Sequence, residues 1–128
     1  MHRRTEAATA ANDGLLLTVA LNYSGRADLA AAAQRIAALA AAGQLLPEQV
    51  TADLLQQHLS TAGLLAAVGP PDLLIRSSGE RRLSNFMLFE AAYCELHFPD
   101  VMWPDFGERH LLAALQDYAA RERRFGRH

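Results

Sequence analysis

"LLIRSSGERRLSNFMLFEAAYCELHF", Leu73 to Phe98, is the stretch that decides the fold. With Asp72 in front of it, "DLLIR" (Asp72 to Arg76) is a short apolar run that predicts a buried strand ending on an arginine. Ser77, Ser78 and Gly79 then turn the chain, the glycine allowing an unusual backbone angle or a close ligand approach. Ser84 reads as the N-cap of a helix running to Tyr93. Glu95 opens a further short strand, "ELHF".

The same alternation continues outward. "LLLTVAL", Leu15 to Leu21, is an unbroken apolar run between Asn-Asp-Gly and Asn-Tyr-Ser-Gly, and reads as a buried parallel strand. Ala27 to Ala42 predicts a helix, with Leu29, Ile36 and Leu39 among alanines and Gly43 as its stop. A second helix is expected from about Thr51, acting as N-cap, to Ser60, and "AVGPP" reads as a loop. Pro99 to Phe106 is a loop, and Glu108 to about Arg123 a final helix with an apolar stripe of Leu111, Leu112, Leu115 and Tyr118. Strands that are solid apolar runs, alternating with helices, predict an α/β fold: a parallel sheet flanked by helices. Only three strands are visible, so either the sheet is small or part of it lies elsewhere.

Composition narrows the function classes. The chain has 128 residues, enough for one compact domain, and half of them are hydrophobic. A net charge of −2 argues against a protein that coats nucleic acid. No apolar run is long enough to span a bilayer, and "MHRRTEAATA" lacks the apolar core of a signal peptide, so a soluble cytoplasmic protein is expected. Cys94 is the single cysteine and reads as a small core residue. The basic side chains other than histidine are all arginine, which carries no functional argument.

In an open α/β sheet, ligands bind beyond the C-terminal ends of the strands. Arg76 stands at such an end, and Ser84 is placed to open a helix whose free amides favour an anion. Arg76 and Arg82 add forked, charge-assisted donors suited to phosphate oxygens. The residues therefore describe a phosphate or diphosphate pocket. An equally open alternative pairs Arg76 and Arg82 with Glu80 and Glu90 at the surface and leaves Ser84 as a simple cap. Glu95 at a strand edge is a candidate magnesium ligand, since that ion uses one or two carboxylates beside substrate phosphates. Spacing alone favours instead an ion pair between Glu95 and an arginine at a helix end.

These motifs carry a resemblance. "DLLIRSSGERRLSNFMLFEAAYCELHFPDVMWPDF" resembles the C-terminal signature of the cis-prenyltransferases, the undecaprenyl diphosphate synthase family, with Ser77 in place of a usual threonine. "LNYSGRAD" (Leu21 to Asp28) resembles that family's N-Y-G-G-R-x-[DE], and "RERRFG" (Arg121 to Gly126) its R-x-G ending. "TEAATAANDGLLL" fits the stretch leading into the family's strand, with Met1 falling inside a family helix. The resemblance implies that Arg76, Arg82, Leu83 and Ser84 bind the diphosphate of isopentenyl diphosphate, with Glu80 and Asn85 in support. It implies that Glu95 is the magnesium-associated carboxylate, and that Arg124 and Gly126 reach the active site at or across a homodimer interface. Trp103 and Phe106 read as packing residues, and His58, His97 and His110 match no catalytic position.

The family's D-G-N-G-R-W-type loop, whose aspartate is the principal metal and catalytic residue, has no counterpart here; "NDGLL" at Asn12 lacks the arginine and second glycine. Residues 1–128 are thus expected to form the C-terminal part of one cis-prenyltransferase domain, with the N-terminal half absent. The resemblance implies a Z-polyprenyl diphosphate synthase that joins isopentenyl diphosphate to an allylic diphosphate for lipid-carrier synthesis, with Mg2+ as cofactor and membrane contact through the product. This chain alone is expected to be inactive, and to be an oligomer or to pair with a complementing fragment. A non-catalytic subunit or diphosphate-binding module completing a partner's site is the alternative. A generic nucleotide-binding domain is disfavoured, because no glycine-rich loop follows "LLLTVAL".

Overall fold

The protein was studied as a computed structural model, which describes residues 2–122. Helix α1 spans His2–Thr9, α2 Gly25–Ala41, α3 Ala52–Gln57 and α4 Ala62–Val68. Strands β1 (Leu73–Ile75) and β2 (Glu95–His97) follow, then α5 (Glu108–Ala120). The two strands pair in parallel, with Leu73 opposite Glu95 and Ile75 opposite His97. The ladder is lengthened at both ends, where Glu95 N donates to Asp72 O at 2.9 Å and Arg76 N to His97 O at 3.0 Å. The α/β reading with parallel strands and flanking helices therefore holds.

Local chemistry accounts for α2. Ser24 Oγ accepts from Ala27 N at 3.3 Å, Asp28 places a negative charge in the first turn, and alanines carry the helix onward. Its end is a glycine stop: Gly43 has φ +69°, its N donates to Ala40 O, and Gln44 N reaches back to Leu39 O at 2.9 Å. Asp28, Ala32 and Ile36 fall four residues apart on the buried face. Helix α3 is capped as expected, with Thr51 Oγ1 accepting from Leu54 N at 3.1 Å, and packs on α2. The core is modest: Ala32, Ile36, Leu59, Leu65, Ala91 and Ala114 are its buried hydrophobic members.

Four expectations are corrected. Leu15–Leu21 forms no strand; its large side chains are exposed, Leu15 at 91% and Leu17 at 76%. A strand needs a neighbour to take its backbone hydrogen bonds, and the described residues supply none there. Helix α4 lies where no helix was expected, because its run is short and holds Gly63. Ser84–Tyr93 forms a chain of turns and no helix: Ser84, Asn85 and Met87 sit at φ 49°, 69° and 45°, in the left-handed region that breaks a right-handed helix. Finally, α5 turns Ala114 inward and leaves Leu111, Leu112 and Leu115 exposed, because polar contacts from Asp117 and Arg121 set which side meets β2.

Candidate functional site

Arg76 follows β1 directly, and the turn after it is strapped to the segment after β2. Ser78 N donates to Val101 O at 2.6 Å and Gly79 N to Pro99 O at 3.1 Å. Gly79 is at φ +68°, a left-handed backbone that strains any larger residue, and a Cβ there would lie 2.7 Å from Asp100 Oδ1, so the Asp100 carboxylate would have to swing aside. Arg76 Nη1 donates to Ser84 Oγ at 2.7 Å and to the Arg82 carbonyl oxygen. The Arg82 side chain is exposed and ion-paired with Glu80. Leu83, half-buried, accepts through its carbonyl from Phe86 N at 3.1 Å. Arg76, Arg82, Leu83 and Ser84 are thus brought onto one loop at the C-terminal end of a strand.

The surface-pair reading of the arginines is met in part. Arg82 does pair with Glu80, an exposed ion pair of the kind worth only about 0–1 kcal/mol. Glu90 is no surface partner. It is buried, and its Oε1 accepts from Thr61 Oγ1 at 2.6 Å and Tyr23 OH at 3.3 Å. Burial, then the charge of Glu90, pushes the Tyr23 phenol up to about 12. Asp28, also buried, accepts from Ser60 N and Ser60 Oγ, at 2.9 and 2.7 Å. A cleft of about 390 Å³ lies beside these groups, lined by Val19–Ser24, Ala27, Asp28 and Ser60. The arginine loop stands outside it.

Glu95 is placed elsewhere. Its Oε2 accepts from Arg121 Nη1 at 2.7 Å, and Arg121 Nη2 also reaches Leu96 O at 3.1 Å and Asp117 Oδ2 at 2.6 Å. His97 Nδ1 meets the same Asp117 oxygen at 2.7 Å. Arg121 first, and His97 second, hold the Asp117 carboxyl below its ordinary range, while Asp117 and Glu95 raise the Arg121 guanidinium still further. The helix-end ion pair that spacing favoured for Glu95 is thus the arrangement found. The register leaves Arg76 three residues along from Glu95, about 10 Å at strand rise.

The described residues do not by themselves fit a resident magnesium ion. Among them no three metal-type side chains converge, and Glu95 is already neutralised by a guanidinium. Arg124 and Gly126 lie outside the described residues. Sequence reasoning missed the Asn85 contacts and the role of Arg121 as the tie between α5 and β2. An asparagine beside a Ser-Asn-Phe turn signals left-handed backbone, but its partner on α2 is set only by tertiary structure.

Fold and loop together define an α/β domain with an arginine-rich loop where its first strand ends. A family model described as putative undecaprenyl diphosphate synthase matches residues 1–126. The chain belongs to that family of prenyltransferases. It is 53% identical to an isoprenyl transferase of Geobacillus kaustophilus, over 92% of this chain and 44% of that protein. It is 51% identical to a ditrans,polycis-undecaprenyl-diphosphate synthase ((2E,6E)-farnesyl-diphosphate specific) of Xylella fastidiosa, over 96% of this chain and 47% of that one. Among solved structures, lavandulyl diphosphate synthase from Lavandula x intermedia, in complex with dimethylallyl diphosphate, superposes with a TM-score of 0.89 at 41% identity. That match covers 97% of this chain and 52% of the other. A probable undecaprenyl diphosphate synthase from Campylobacter jejuni gives 0.72 at 27% identity, over 98% and 54%. The chain spans about half the length of the relatives it matches.

Proposed function

We propose that this chain is the diphosphate-binding, C-terminal part of a Z-polyprenyl diphosphate synthase, which joins isopentenyl diphosphate to an allylic diphosphate. The observation that carries the proposal is the Arg76–Ser84 contact on a loop shared with Arg82, in a chain that matches the family almost throughout. Arg76 and Arg82 neutralise the diphosphate, Ser84 supplies a hydroxyl donor, and Leu83, Glu80 and Asn85 shape the loop around them. In this reading Arg124 and Gly126 serve a homodimer interface, and the enzyme is cytoplasmic and meets the membrane through its polyprenyl product. Magnesium would arrive as the counter-ion of the diphosphate, with no described carboxylate assigned to it because Glu95 is held by Arg121, and no nucleic acid takes part.

Isothermal titration with inorganic diphosphate and Mg2+ tests the reading. The purified chain binds, and Arg76→Ala weakens binding by about tenfold or more, the loss expected for one charge-assisted pair. Binding that survives Arg76→Ala and Arg82→Ala together sinks it. Because two arginines and a hydroxyl do not make a complete ionising site, the chain alone forms no product from farnesyl and isopentenyl diphosphate. Radiolabelled product from the purified chain refutes that part.

One observation favours a second reading. The exposed Leu15–Leu21 run, which finds no strand partner among the described residues, suits a subunit that completes a partner's sheet and site. A partner polypeptide that restores activity when mixed with this chain supports it.

A further inference from the structure

The motif Asn22–Asp28, "NYSGRAD", supplies no group to the diphosphate reading, yet most of it touches the loop that does. Tyr23 meets Phe86 edge-on, with ring centroids 5.6 Å apart, and donates to Glu90. Ser24 Oγ accepts from Asn85 Nδ2 at 2.8 Å. Gly25 N donates to the Asn85 carbonyl at 2.9 Å, and Arg26 N to Asn85 Oδ1 at 2.8 Å. Asn85 therefore engages three successive residues with its carbonyl, its amide oxygen and its amide nitrogen. Two of the donors it satisfies are first-turn amides of α2, which have no partner inside the helix.

Two further observations agree. Asn85 and its neighbour Ser84 are both left-handed, a state costing of order 1–3 kcal/mol per residue that persists only where the surroundings impose it. Gly25 has no space for a side chain: a Cβ there would lie 2.9 Å from the Asn85 carbonyl oxygen and 3.3 Å from Leu88 Cγ. The start of α2 is shaped to receive this loop, and α2 is a helix of 17 residues closed at both ends, a firm reference for it.

We propose that Asn85 is a positioning residue for diphosphate binding, docked on Ser24, Gly25 and Arg26 so that it fixes the backbone of Ser84 and thereby aims Ser84 Oγ and the Arg76 guanidinium bound to it. The inference rests on the diphosphate reading of Arg76 and Ser84. It assigns the "NYSGRAD" motif a task, that of a cradle for the anion loop, with Gly25 as the residue that lets the two backbones meet.

The test measures affinity for inorganic diphosphate with Mg2+, on the full chain, alongside Tm. Asn85→Gly keeps the left-handed backbone accessible and removes the side-chain bonds; Gly25→Ala pushes the loop off its cradle. Each is expected to weaken binding by about tenfold, while Ser24→Thr, which keeps the hydroxyl, stays within roughly twofold of the parent. A merely structural role lowers Tm and leaves the affinity of the folded protein unchanged. If both variants bind as the parent does while Arg76→Ala does not bind, the positioning role is overturned and the diphosphate reading stands. If Arg76→Ala binds as the parent does, the diphosphate reading falls and this inference falls with it. Tryptic cleavage after Arg81 and Arg82 reads the loop without ligand. Several-fold faster cutting in both variants supports the docking, and unchanged cutting overturns it.

Discussion

At the scale of single residues, the polar cluster on β2 has a consequence for acid stability. Asp117 is held below its ordinary carboxylate range by Arg121 and His97, so the folded state favours its ionised form. The stabilisation is fully present above the unfolded aspartate value of about 4 and is lost as pH falls through the lower folded value. Asp117→Asn removes that term. The urea midpoint of the parent is therefore expected to fall further than that of the variant between about pH 5 and pH 2. A gap between the two that stays constant over that range sinks the idea. The sequence offered Glu95 two fates, metal ligand or helix-end ion pair, and could not choose, because the choice depends on where α5 docks. Ser84 shows the opposite failure. Serine before an apolar run is a sound N-cap signal, yet Asn85 is drawn into left-handed backbone by partners sixty residues earlier in the chain.

At the scale of elements, what was legible was what local chemistry decides. Helix α2 was readable because its alanines and its glycine stop act within one turn of themselves, and α3 because Thr51 caps it directly. The short apolar runs of β1 and β2 were readable because each finds the other. Leu15–Leu21 has the same composition and no such neighbour among the described residues, so an identical signal gives no ladder. The α2 stop carries a prediction. Gly43 sits at φ +69° with open space where a Cβ would go, so Gly43→Ala meets backbone strain alone. A loss of about 1 kcal/mol in unfolding free energy is expected, seen as a lower urea midpoint at unchanged slope. Gly43→Asn, which tolerates the left-handed region better, should recover part of it. An alanine variant as stable as the parent shows that the stop is not held in that conformation.

At the scale of the whole molecule, the apolar surface is the dominant fact. Leu15, Leu16, Leu17, Val19 and Leu21 are exposed along one segment, and Leu111, Leu112 and Leu115 along the outer side of α5. The buried hydrophobic core among the described residues, by contrast, consists of three alanines, two leucines and an isoleucine. Each large aliphatic side chain left in water forgoes about 1.5–3 kcal/mol that burial would return, and exposed apolar runs of this extent drive association. The purified chain is therefore expected to self-associate in a concentration-dependent way, visible in sedimentation velocity. Replacing Leu17 and Leu112 by aspartate should shift it toward monomer, because a charge on each surface raises the cost of covering it. Diphosphate affinity should be unaffected, since both residues are exposed and neither lies on the Arg76 loop. If the double variant associates as the parent does, the leucine surfaces are not what holds the copies together. If the parent sediments as a monomer at all concentrations, these leucine surfaces do not drive association.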